Sequence, residues 1–156
     1  MLVEAVNSAE QLREALAREV EAAQGERSLL RSLDSHALLR RAASRADFQA
    51  RVARLEEGLH AALASAAQHL GLEAVTLGTL AERDPAATAT LSRLFADVRS
   101  LAAALAELDR LNQFLASRAL RMVSSYVDAI SPPPSAYDRR GLRAVASSGA
   151  VVSNRV

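Results

Sequence analysis

The chain contains no cysteine and no lysine, and only 3% of its 156 residues are aromatic. Without cysteine there are no disulfides and no thiolate metal sites. Without lysine there is no glycine-rich phosphate loop of the kind that ends in a lysine reaching the phosphates. Aromatics and isoleucine, which favour strands, are scarce. No stretch approaches the roughly 18 uninterrupted apolar residues of a membrane-spanning helix. Met1 to Gln11 has neither the basic nor the apolar region of a signal peptide. The expectation is a cytoplasmic protein with no membrane insertion. A one-sided basic face, the footprint of a nucleic-acid binder, is also missing. The 19 basic residues, all arginine, are matched by 18 acidic ones, and the signs alternate along the chain. Only the C-terminal stretch departs from this, where Arg139, Arg140, Arg143 and Arg155 outnumber Asp138.

What is present favours helix. Half of the chain is apolar, mostly alanine, leucine and valine. Alanine and leucine lead the helix-propensity ranking, with arginine and glutamate close behind. The length fits a single domain.

Ser8-Ala-Glu-Gln11 has the form of a capping box, and Leu12, Leu16, Val20 and Ala23 follow at helical spacing. The pattern predicts a first helix over about residues 8–32, with a bend near Gly25. Leu38 and Leu39 fit a short helical turn. Ser44-Arg-Ala-Asp47 marks a second start, expected to open a helix over about 45–70 that stops at Gly71. In it Phe48, Val52, Leu55, Leu59, Ala62, Ala66 and His69 form one narrow apolar seam, as in a coiled-coil hairpin.

Thr76 to Glu82 predicts a short helix. Asp84-Pro85 then combines a capping aspartate with proline at the first helical position. From there Leu91, Leu94, Val98, Leu101, Leu105, Leu108, Asn112, Leu115, Ala119, Met122, Tyr126 and Ala129 repeat in steps of three and four without glycine or proline. A helix over 85–130 would be about 69 Å long at 1.5 Å per residue, so it either projects past its partners or kinks. Pro132-Pro133-Pro134 ends it, since proline lacks the amide donor and clashes with the preceding turn. The expected fold is all-α, an elongated antiparallel bundle or coiled-coil hairpin with a long C-terminal helix. The expected organisation is a helical domain over 1–131 and a disordered, proline-initiated tail over 132–156.

Sites for catalysis, metals or cofactors find little support. His60 and His69 are nine residues apart, too far along one helix to share a metal, and His36 stands alone; all three read as surface or seam residues. Glu56 and Glu57 point about 100° apart and cannot share a proton as a catalytic dyad does. Asn112 occupies a core-type position. It is either a register-setting residue that pairs across the seam or a hydrogen-bonding anchor in a partner-binding groove. Outside the seam, Leu111, Phe114, Leu120, Val123, Val127 and Ile130 cover a second side of the long helix. That side is either buried in the monomer or open as a binding groove or dimer interface.

The stretch from Thr76 to Gly141 resembles the flagellar export chaperones of the FlgN type. Their pattern has a short Thr-Leu-x-x-Leu-Ala element and a long helix with a Leu-Asn-x-x-Asn-Gly-x-Leu-like motif. A proline-bearing break and Tyr-Gly-x-Asp-Gly follow. Here the matching residues are Thr76-Leu-Gly-Thr-Leu-Ala81, Leu108-Asp-Arg-Leu-Asn112-Gln-Phe-Leu115, the triple proline, and Tyr137-Asp-Arg-Arg-Gly141. Asp109, Gln113 and Arg140 depart from the pattern. The resemblance implies a chaperone that binds the C-terminal helical region of hook-associated (hook–filament junction) proteins and delivers them to the export gate. It implies cargo contacts at Leu111, Asn112, Phe114, Leu115, Met122, Val123 and Tyr126. Docking to the cytoplasmic domain of the gate falls on Tyr137 and Gly141. The alternative from the residues alone is a self-associating structural coiled coil, with Asn112 setting the register of a parallel dimer. A helical ligand-binding domain ranks last, because the seam offers only Asn112 and His69 as polar groups.

Overall fold

In the computed structural model, residues 2–71 and 76–130 are described, and they are helical and strand-free apart from short connections. The helices are α1 (Val3–Ser32), α2 (Ser35–Leu70), α3 (Leu77–Ala81) and α4 (Pro85–Ile130). The chain divides into two units, Met1–Ala119 and Leu120–Val156. The expected 131/132 boundary, the triple proline and the tail lie outside the described residues.

Two starts differ from expectation. The first helix does not wait for Ser8: it begins at Val3, and the extra turn buries Leu2 and Ala5 in the core. Burying one leucine contributes about 2 kcal/mol, more than the roughly 1 kcal/mol of a serine cap. The second helix begins at Ser35, ten residues before the expected start. There the Asp34 carboxylate accepts from the Ala37 amide at 2.9 Å. An aspartate already caps the chain at the turn, so the Ser44 signal falls inside a running helix. The turn itself places Leu33 in the left-handed region, at φ 54°, a conformation a leucine adopts only under strain. No break occurs at Gly25, and α1 continues through it.

The remaining ends follow the sequence. Gly71 closes α2 at φ 65°, where a side chain would be strained. Thr76 and Thr79 form a reciprocal capping box for α3. Asp84 Oδ1 accepts from the Ala87 amide at 3.0 Å, with Pro85 as the first residue of α4.

In the first unit, α1, α2 and α4 share one core. Leu2, Ala5, Ala9, Leu12 and Leu16 of α1 meet Leu59, Ala62 and Ala66 of α2 and Leu91 and Leu94 of α4, closed off by Leu80 of α3. Phe48, Val52, Leu55, Val98, Leu101 and Leu105 pack against it. The many alanines let the helix backbones approach closely. The connection over Leu33 and Asp34 makes α1 and α2 antiparallel neighbours. The start of α4 meets the first half of α1, and Asn112 meets Ala23 further along both, so these two helices run parallel. His69 makes its hydrogen-bond contact within its own helix. Its Nδ1 lies 2.7 Å from Ser65 O on its own helix, and the residue is exposed.

Candidate partner-binding face

The later part of α4 carries both the polar residues that hold it to the hairpin and the apolar residues left uncovered. Asn112 is 2% exposed, and its Nδ2 donates to Ala23 O of α1 at 2.8 Å. Such a bond to a main-chain carbonyl, 89 positions away in sequence, fixes one axial alignment of the two helices. A purely apolar seam would allow neighbouring registers.

An ionic layer lies beside it. Arg41 of α2 forks onto Glu19 of α1, with Nη2 to Oε1 at 2.6 Å and Nη1 to Oε2 at 3.2 Å. Its Nε donates to Glu26 Oε2 at 3.2 Å. Glu19 and Glu26 sit two turns apart on α1, so a single guanidinium spans both. Arg45, one turn after Arg41, approaches Glu26 at 3.5 Å and places Nη2 2.5 Å from Asp109 Oδ2 of α4. The layer thus ties all three long helices together. Burial alone would disfavour the Arg41 charge. The hydrogen bonds and charges of Glu19 and Glu26 outweigh it and hold the guanidinium pKa above its ordinary value.

Asp109 is one of the positions that depart from the family-like motif, and this contact gives its charge a local partner in Arg45. Sequence reasoning missed the whole layer. Its members are scattered from Glu19 to Asp109 over three helices, and they resemble the other charges that alternate along the chain.

The other residues singled out on α4 sit differently. Leu115 is half-buried in the first unit, whereas Leu111 and Phe114 are exposed there, Phe114 at 55%. Arg118 lies over the Phe114 ring, 5.9 Å from its centroid. In the second unit, Leu120, Met122, Val123, Tyr126, Val127 and Ile130 are all exposed, Ile130 at 79%. Isolated exposed apolar residues are ordinary, but six within eleven residues of one helix make a patch of the kind that meets partners. Tyr137 and Gly141 lie outside the described residues.

Among the described residues, no group of three or more histidines, aspartates and glutamates is placed to hold a metal ion. Glu56, Glu57, His36 and His60 are exposed. No described helix is long and apolar enough to cross a membrane.

A model of the FlgN protein family matches residues 1–144. The chain belongs to the FlgN family. Searches of the curated proteins and of the solved structures gave no match. The match covers the hairpin as well as the motif-bearing stretch after Thr76, so α1 and α2 are part of the family's architecture. FlgN proteins are flagellar export chaperones, a family of substrate-holding proteins and not of enzymes.

Proposed function

We propose that this FlgN chain holds the C-terminal helical region of a hook-associated protein along the exposed apolar residues of α4 and brings it to the flagellar export gate. The observation that carries this reading is the run from Leu120 to Ile130, in which every large apolar side chain is exposed. Leu111 and Phe114 are exposed in the first unit as well. An amphipathic partner helix would use such residues as anchors, each contributing roughly 1.5–3 kcal/mol if fully buried. Four anchors, less the cost of ordering a flexible segment, reach micromolar affinity or better.

Within this reading, Leu111, Phe114, Met122, Val123 and Tyr126 contact the cargo directly, and Leu115 lines the edge. Asn112, expected among the contacts, is buried against Ala23 in the free chain; its part is to hold α4 in register. Gate docking is assigned to Tyr137, with Gly141, on the resemblance of Tyr137-Asp-Arg-Arg-Gly141 to the family's tail motif. Titrating the purified chain with C-terminal fragments of hook-associated proteins tests the assignment. One-to-one binding is expected, and its absence with every such fragment would sink the reading.

Self-association through the α4 seam is the second reading. It relied on Asn112 pairing with its counterpart in a parallel dimer. The Asn112 amide donates within its own chain instead, which favours the chaperone. Sedimentation separates the two readings: the chaperone reading expects a monomer without cargo.

A further inference from the structure

Most of the exposed apolar residues of α4 lie in a stretch that carries charge of one sign, which ends before Asp128. From Arg110 to Val127 the helix carries Arg110, Arg118 and Arg121 and no acidic residue. In the first unit, Arg110, Phe114 and Arg118 follow at intervals of four, which puts them in one row on the helix surface. All three are exposed. Arg110 lies 3.8 Å from Glu107, a solvent-facing pair. Arg118 takes part in no ion pair among the described residues; its contact is with the Phe114 ring. That contact holds the guanidinium over an exposed aromatic ring. Arg45, by contrast, has already found its carboxylates in Glu26 and Asp109.

We propose that the helix accepted by α4 is acidic as well as amphipathic, presenting a carboxylate beside the apolar residue that covers Phe114, and that Arg118 is the residue that selects it. This rests on the reading that α4 receives a partner helix, and it adds the charge that helix must carry. A guanidinium already aligned on a ring loses little freedom on meeting a carboxylate. A lysine at the same place in the partner meets like charge on α4, and repulsion of that kind rejects wrong partners.

The test uses the full chain and two synthetic amphipathic helical peptides with the same apolar face, one flanked by glutamates and the other by lysines. The glutamate peptide should bind about five-fold more tightly, as suits a solvent-accessible pair, and the margin should shrink as salt rises. Arg118→Glu should remove or invert the preference. Because Arg118 is exposed, the variant's circular dichroism should match that of the parent. Equal affinities, a preference for the lysine peptide, or a preference that survives Arg118→Glu would each overturn the proposal. So would binding of neither peptide by a chain that still holds a hook-associated fragment. A chain that fails on the fragment as well loses the functional reading together with this inference.

Discussion

Residues Pro85 to Ala119 of α4 and residues Leu120 to Ile130 belong to one uninterrupted helix but treat their apolar side chains in opposite ways. In the earlier segment the three–four repeat is matched by neighbours. Leu91 and Leu94 are buried, Val98, Leu101 and Leu105 pack on the core, and Asn112 closes the series with a bond to α1. In the later segment the same repeat continues through Met122, Tyr126 and Ala129, and each of these is exposed. A periodic pattern shows that a helix has a face. Whether that face is filled depends on the other helices, and within the first unit α1 and α2 supply those partners.

The largest expected effect lies in the ionic layer. Arg41→Ala strands the carboxylate of Glu19, whose side chain is 5% exposed. Breaking a buried pair from one side costs about 3 kcal/mol or more. Urea denaturation should show a stability lower by that amount, seen as a lower midpoint at unchanged m, since m reports the area exposed on unfolding. The raised pKa of Arg41 sets a sign as well. Its contribution is fully present below the ordinary arginine value and is lost only as pH rises through the still higher folded value. Titration of Arg41 therefore leaves stability unchanged between pH 6 and 10. A stability loss in that window that disappears in the Arg41→Ala variant would contradict this assignment.

Leu91→Ala tests the apolar part of the earlier segment. Leu91 is fully buried, and the cavity should cost about 3 kcal/mol. Asn112→Ala comes next. It removes the buried hydrogen bond to the Ala23 carbonyl, a loss of about 1–2 kcal/mol. Amide exchange should then quicken around residues 105–119 more than around Leu91. Equal quickening along the helix would mean that Asn112 does not set the local register.

The later segment should behave in the opposite sense. Val123→Ser and Tyr126→Ser should change stability by less than about 0.5 kcal/mol, as surface substitutions do. Together they should weaken cargo binding by tenfold or more if both residues act as anchors. Smallest of all in this assay is Tyr137→Ala, expected to leave cargo affinity unchanged while weakening docking to the gate's cytoplasmic domain. Loss of both activities together would undo the division of labour between α4 and the tail.

Much of this comparison was legible in the residues. The start of α4 at Pro85, its length, the α3 capping box and the stop at Gly71 are written locally, in Asp84-Pro85, Thr76-to-Thr79 and a single glycine. Local signals misled where tertiary burial outweighed them. Leu2 and Ala5 pulled the first helix past Ser8, and Asp34 started the second before Ser44. The ionic layer was not legible, because Glu19, Arg41 and Asp109 become neighbours only once three helices have met. For Asn112 the sequence left two roles open, and the bond to Ala23 O selects the register-setting one in the free chain. Exposure of the residues after Leu120 was stated only as one of two outcomes, since periodicity cannot count how many neighbours a helix has.

The central claim is that the uncovered apolar residues of α4 are there to be covered by cargo. Isothermal titration of the purified chain with the C-terminal helical fragment of a hook-associated protein tests it most directly, with Val123→Ser/Tyr126→Ser run in parallel. The account predicts one-to-one binding at micromolar affinity or tighter, weakened at least tenfold in the double variant. Binding that the double variant leaves unchanged, or no binding by a chain that sediments as a stable dimer, would contradict it.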